Sequence, residues 1–139
     1  SRGGVSVSGP SLSGMTIKAG MITIDTLDPD RLSTWWREQL DATVVFTEPG
    51  EVVMINSKAA GITLGFQRVP DPTPGKNRVH IDFEAPDRQA EVDKLVSAGA
   101  TIVDTVEWAG ANGMPPLTWT VLADPDGNRF CVADQVDEA

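Results

Sequence analysis

Ile22-Thr23-Ile24-Asp25, followed by Pro29-Asp30-Arg31, returns as Val79-His80-Ile81-Asp82, followed by Pro86-Asp87-Arg88, at a constant offset of 57 positions. The echo continues at Ala42-Thr43-Val44-Val45 and Ala100-Thr101-Ile102-Val103, now 58 positions apart. Ile22 and Ile24 alternate with Met21, Thr23 and Asp25, the period of a half-buried strand. Asp28 is a good N-cap, and Pro29 suits the first helical position, where its missing N–H would have no partner anyway. A strand, a proline-started helix and a β-branched strand, written twice, predict two copies of one small α+β module. Two such copies can enclose a cleft at their junction, so candidate functional residues are sought where the modules meet.

Working outward, Leu32, Trp35, Trp36 and Leu40 fall on one face of the first helix. Only one of the adjacent indoles can point squarely into the core; the other belongs at an edge or a dimer contact. Thr43 to Phe46 reads as a strand, and Glu51 to Asn56 with Gly61 to Gln67 reads as a hairpin over Ser57 to Gly61. Val69-Pro70-Asp71-Pro72-Thr73-Pro74-Gly75 forbids regular structure and reads as the linker. The second copy is predicted as a strand from Arg78 to Phe83 and a helix from Pro86 to Ser97. Ala90, Val92, Leu95 and Val96 give that helix an apolar side, and Gly99 closes it. Ile102 to Val106, Leu117 to Leu122 and Arg129 to Ala133 complete it as strands. Asp124-Pro125-Asp126-Gly127-Asn128 is a strong turn signal between the last two. The expected layout is βαβββ twice in one domain over 15–139: module one 17–69, linker 70–77 and module two 78–134.

The 139 residues, 40% of them apolar, are enough for one compact core. No apolar run approaches the roughly 20 residues needed to cross a bilayer. Residues 1–14 are Gly/Ser-rich and lack the basic start and apolar stretch of a secretory signal. They read as a flexible leader or a cloning remnant, with Met15 as a natural start. A net charge of −9 argues against a nucleic-acid backbone or an anionic membrane as partner. The single cysteine excludes an internal disulfide and suits a reducing cytoplasm.

Three stretches together resemble the vicinal oxygen chelate superfamily, in its glyoxalase-like and bleomycin-resistance-like members. They are Asp28-Pro29 with Trp35-Trp36 and Leu40; Lys76-Asn77-Arg78-Val79-His80-Ile81-Asp82; and Ala123-Asp124-Pro125-Asp126-Gly127-Asn128-Arg129-Phe130. The resemblance spans roughly Ile17 to Asp134. It implies an α+β fold of two tandem βαβββ modules whose mixed sheets curl around a ligand cavity, and pairing of chains as homodimers. Metal-using relatives present two His or Gln and two Glu from the first and last strands of each module. That set holds a divalent ion which polarises substrate oxygens. Here only His80 matches. Its module-one counterpart is Thr23 by the repeat, or Met21 by the other register, and Gln67 and Cys131 stand where relatives carry Glu. The family's usual metal site is therefore not expected, and no metal or other cofactor is assigned.

Each candidate has two readings. His80 is a hydrogen-bond partner or general base tuned by Asp82, with Glu84 on the same face, or it is a histidine satisfied by its neighbours. Cys131 is a thiolate nucleophile or soft metal ligand, or it is small filler between Phe130 and Val132. His80 and Cys131 could share zinc with Gln67, although a carboxamide is a poor third ligand. Trp108 and Trp119 offer flat apolar walls with one N–H donor each, suited to planar ligands, or serve ordinary packing. Met21, Thr23, Gln67, His80, Trp108, Trp119 and Cys131 are the expected ligand-lining set; His80, Asp82 and Glu84 are the expected acid–base set. Two functions follow. One is a binding protein that holds an apolar or aromatic small molecule between the modules. The other is a lyase, isomerase or dioxygenase type of enzyme that uses His80.

Overall fold

A computed structural model describes residues 18–135. The expectations for 1–14 and Met15 lie outside the described residues. Module one runs β1 (Ile22–Thr26), α1 (Pro29–Gln39), β2 (Thr43–Glu48), β3 (Val52–Ser57) and β4 (Ile62–Arg68). Module two runs β5 (Asp82–Ala85), α2 (Arg88–Ser97), β6 (Thr101–Trp108), β7 (Leu117–Ala123) and β8 (Arg129–Asp134). The sheets have the strand orders β1-β4-β3-β2 and β5-β8-β7-β6. In each, the first strand joins the last in parallel and the other pairings are antiparallel. The duplicated βαβββ layout is thus an α+β pair of four-stranded mixed sheets. Among the described residues no ladder joins the two sheets, so there is no closed barrel.

Strand alternation decides which faces the helices cover. Val53, Ile55, Leu64 and Phe66 share one parity and are buried with Leu32 and Trp36 of α1. In module two, Leu122, Phe130 and Val132 are buried with Val92 and Leu95 of α2. Each such side chain contributes about 1.5–3 kcal/mol through burial. The opposite parity leaves an open face on each sheet. There Met21 and Thr23 close over Gly65, whose Cβ, were it present, would lie 2.9 Å from Met21 Sδ and 3.2 Å from Thr23 Oγ1.

The repeat is less exact than its letters. Asp28 caps α1 through a bond from Arg31 N, and Pro29 opens the helix as expected. The matching position in module two is Ala85, which has no side-chain acceptor. Asp87 caps instead, accepting from Ala90 N, and α2 starts at Arg88 rather than Pro86. On α2, Val92 and Leu95 are buried, whereas Ala90 and Val96 are exposed. β5 begins at Asp82 rather than Arg78, because the Asn77 side chain takes over the pairing at that end. Its amide donates to Val79 O and Arg129 O, and its Oδ1 accepts from Arg129 N. β1 begins at Ile22, one residue after the alternation that opens at Met21, and ends at Thr26; β6 runs on to Trp108 across a register shift between Ile102 and Asp104. The segment 70–77 carries no regular structure, as its prolines require.

The modules are clasped through α1. Trp36 is 2% exposed, with its ring 6.0 Å from Phe83 and 4.9 Å from Phe130 of module two. Its Nε1 donates to Asp124 Oδ2 at 2.8 Å. Trp35, only partly buried, donates to Ala98 O at 2.8 Å. Thr26 Oγ1 and Arg31 Nη2 both reach Asp126, at 2.7 and 3.2 Å. The Asp124 to Asn128 turn that presents these acceptors is held internally: Asp124 Oδ1 accepts from Asp126 N and Asn128 N at 2.9 Å each. Gly127 supplies the positive φ of +89° that the turn needs.

Candidate functional site

β5 and β8 run parallel with Asp82 opposite Cys131, and Cys131 N donates to Ile81 O at 3.0 Å. This ladder brings one small group together. His80 Nε2 lies 3.3 Å from Asp82 Oδ1, and the donor atoms of His80, Asp82 and Cys131 all fall within 4.8 Å of one another. Cys131 is 7% exposed, while the side chains of His80 and Asp82 are 44% and 71% exposed. The thiol therefore forms a floor over which the two exposed groups close from the solvent side. Burial pushes the Cys131 thiol up to about 11, helped by the neighbouring Asp82 charge and by its hydrogen bond to that carboxylate, with Lys76 acting in the opposite sense. Metal-free Cys131 is accordingly a neutral thiol near pH 7 and a poor nucleophile.

A cavity of about 450 Å³ lies at the module junction. Trp36, Gln39 and Leu40 of α1 and its cap, with Ala59 and Ala60 of the β3–β4 turn, form the module-one wall. Asp82 to Pro86, Glu91, Leu95 and Val132 form the module-two wall. Gln39 Oε1 is buried without a hydrogen-bond partner. An unpaired buried acceptor costs about 1–3 kcal/mol, so a turn of the Gln39 side chain that presents this carbonyl to a donor in the cavity is favoured. Glu91 and the C-terminal end of α1 add acceptors at this wall, and Lys94 spans them, 3.5 Å from Glu91 Oε2 and donating to Gln39 O at 3.1 Å.

The expected site residues distribute unevenly. His80, Asp82 and Cys131 meet; Asp82 and Glu84 border the junction cavity as part of β5, but their side chains alternate with Phe83 and Ala85 and so face the Cys131 side of the sheet. Met21 and Thr23 share the open face of the first sheet, where Gln67 stands opposite Asp25 and Val52. Trp119 pairs with Val106 and Ala133, and Trp108 pairs with Leu117, on the open face of the second sheet. Neither indole, nor Met21, Thr23 or Gln67, lines the junction cavity. The equivalence of Gln67 and Cys131 holds in the ladders: Gln67 faces Asp25 and Cys131 faces Asp82, and those aspartates are themselves repeat partners. Against the two His or Gln and two Glu that the resemblance implies, module one offers a hydroxyl or a thioether at the first-strand position and a carboxamide in place of a carboxylate at the last.

Sequence reasoning missed Gln39, Leu40, Ala59 and Ala60 as cavity residues. Nothing in their spacing marks them, because the cavity exists only once α1 crosses to module two. The one available signal is Trp36, whose place on the core face of α1 is legible but whose contacts across the seam are not.

The comparisons with known proteins agree with this architecture. A family described as "Glyoxalase-like domain" matches residues 21–133. The chain belongs to the glyoxalase-like family. It is similar in fold to a glyoxalase/bleomycin resistance protein/dioxygenase family enzyme from Burkholderia phytofirmans PsJN, with TM-score 0.63 and 20% identity over 84% of this chain and 97% of that one. A lactoylglutathione lyase from Agrobacterium tumefaciens gives TM-score 0.61 and 15% identity over 86% and 95% of the respective chains. A genomically encoded fosfomycin resistance protein from Listeria monocytogenes gives TM-score 0.68 and 12% identity over 88% and 96%. No curated protein matches significantly. No helix among the described residues is long and apolar enough to cross a membrane.

Proposed function

We propose that this glyoxalase-like protein binds a small organic molecule between its modules, without the family's usual four-ligand metal site. The junction cavity carries the reading. Its volume lies within the range of small-molecule sites, about 300–1,000 Å³, and Trp36, Phe83, Leu40, Leu95 and Val132 give it an apolar, partly aromatic lining. Glu91, and Gln39 by a turn of its side chain, offer acceptors that select among apolar or aromatic compounds for those that donate hydrogen bonds or carry positive charge. Exposed Val44, Val45 and Phe46 on β2 and Ile102 and Val103 on β6 support pairing of two copies as a homodimer. The unpaired Cys131 supports a cytoplasmic setting.

Calorimetric titration with 1-naphthylmethylamine and 1-naphthoate tests this. The amine binds and the acid binds at least about tenfold more weakly, a difference of about 1.4 kcal/mol. Ala60→Trp, which fills the cavity, weakens the amine by a similar factor. Equal affinity for both compounds, or none, removes the reading.

The His80–Asp82 contact at 3.3 Å favours a second reading, an enzyme in which Asp82 orients His80 as a general base and Glu84 is a further proton carrier. The fold neighbours include proteins named as enzymes, among them the lyase from Agrobacterium tumefaciens. Turnover of any substrate that survives His80→Ala unchanged would sink this version.

A further inference from the structure

His80, Asp82 and Cys131 present an imidazole nitrogen, a carboxylate oxygen and a sulfur to one point, and they come from β8 and the two residues flanking Ile81 at the start of β5. First-row ions of borderline softness accept this mixture, whereas Mg(II) and Ca(II) demand oxygen. Tetrahedral Zn(II) with these ligands holds its donor atoms roughly 3.3–3.8 Å apart. The His80–Asp82 pair already sits at 3.3 Å, and the full set lies within 4.8 Å, so closure asks only for small side-chain rotations. Cys131 is fixed from below by its backbone bond to Ile81 O, and the two groups above it are free to move. Three protein ligands on one side, with solvent on the other, leave the fourth position open to water or another small ligand. The net charge of −9 favours cations throughout.

We propose that His80, Asp82 and Cys131 form a three-ligand site for a zinc-class divalent ion, built wholly within module two and with Asp82 in a role outside the four-position pattern of metal-using relatives. The site needs neither Thr23 nor Gln67. It extends the binding reading but does not rest on it.

The test is a titration of tag-free, chelator-treated and reduced protein with Co(II) under anaerobic conditions. It reads thiolate-to-cobalt charge transfer in the near ultraviolet and the ligand-field bands that report four-coordinate geometry. About one Co(II) binds per chain with a charge-transfer band, and Zn(II), which has no ligand-field preference to lose in a tetrahedral site, displaces it. Asp82→Asn, at an exposed position, folds normally by circular dichroism and weakens Co(II) at least about tenfold. His80→Ala does the same, Cys131→Ser abolishes the band, and Gln67→Ala changes nothing. Absence of the band in the parent protein overturns the site, as does full retention in Asp82→Asn or loss in Gln67→Ala. The naphthylamine titration is read on metal-free protein, so its failure and the failure of the cobalt titration are distinguishable.

Discussion

Trp36 Nε1 donates to Asp124 Oδ2 at 2.8 Å across the seam between the modules, and both residues are almost fully buried. This bond fastens α1 to the Asp124 to Asn128 turn, so the most recognisable motif of module two works as a clasp rather than as a ligand. The junction cavity owes its shape to that clasp, because Trp36 is also one of its walls.

Trp36→Phe keeps most of the ring contacts with Phe83 and Phe130 but leaves Asp124 Oδ2 without its indole donor. Oδ2 keeps a second donor, Asn128 Nδ2 at 3.1 Å, so the loss is about 1 kcal/mol, the usual net worth of one hydrogen bond, plus a smaller packing term. Denaturant unfolding at neutral pH measures it. An unchanged midpoint would show that the bond adds nothing to the joining of the modules.

Asp124 gives the fold a specific pH dependence. Burial raises its carboxyl above the ordinary 3.8, against the lowering effect of bonds from Trp36, Asn128 and Asp126. The folded state then holds this proton more tightly than the unfolded chain does. Its stabilising contribution is full below the unfolded value and is lost as pH rises through the folded one. Relative to Asp124→Asn, which cannot titrate, the parent protein loses stability between pH 3.8 and the higher folded value, and the gap is flat above that. Paired unfolding curves across the acid range check this; a parent protein that gains stability on the variant as pH rises would contradict it.

Cys131 alkylates slowly at neutral pH in metal-free protein, with a rate that climbs toward about 11 as the thiol ionises. Asp82→Asn removes both the charge and the hydrogen bond that hold the proton on sulfur, so the midpoint moves down. Iodoacetamide rates across alkaline pH, with mass detection, give both values. An unshifted midpoint in the variant would remove Asp82 from contact with the thiol.

The apolar edges of the two sheets predict association. Val45 is 56% exposed on β2, and Ile102 is 49% exposed on β6. Val45→Lys and Ile102→Lys together convert a dimer into a monomer by sedimentation velocity, with folding retained because neither residue is in the core. A parent protein that sediments as a monomer contradicts the pairing.

Much of the fold was legible because two independent periodicities recur in the same order. Ile22 and Ile24 carry a strand period, Leu32 and Trp36 a helix period, and the Asp-Pro-Asp-Gly-Asn turn fixes the last hairpin. Boundaries failed where a single side chain decides them. Ala85 cannot cap, so α2 starts later than its proline suggests, and Asn77 replaces main-chain pairing ahead of β5. For the site, His80, Asp82 and Cys131 were individually readable, but their convergence depends on β5–β8 register. The cavity was less readable still. Gln39 and Ala60 are ordinary residues of a helix end and a turn, and only the crossing of α1 to module two makes them its walls.

The central claim is that the junction cavity holds a small organic donor molecule. Its most direct test is an amide ¹H–¹⁵N correlation map of the uniformly labelled, metal-free protein titrated with 1-naphthylmethylamine, repeated on Gln39→Leu. The account predicts saturable shifts centred on Gln39, Leu40, Ala59, Ala60, Phe83 and Glu84, and at least about tenfold weaker binding in the variant. Shifts centred instead on Trp108 and Trp119, or no saturable shifts at all, would contradict it.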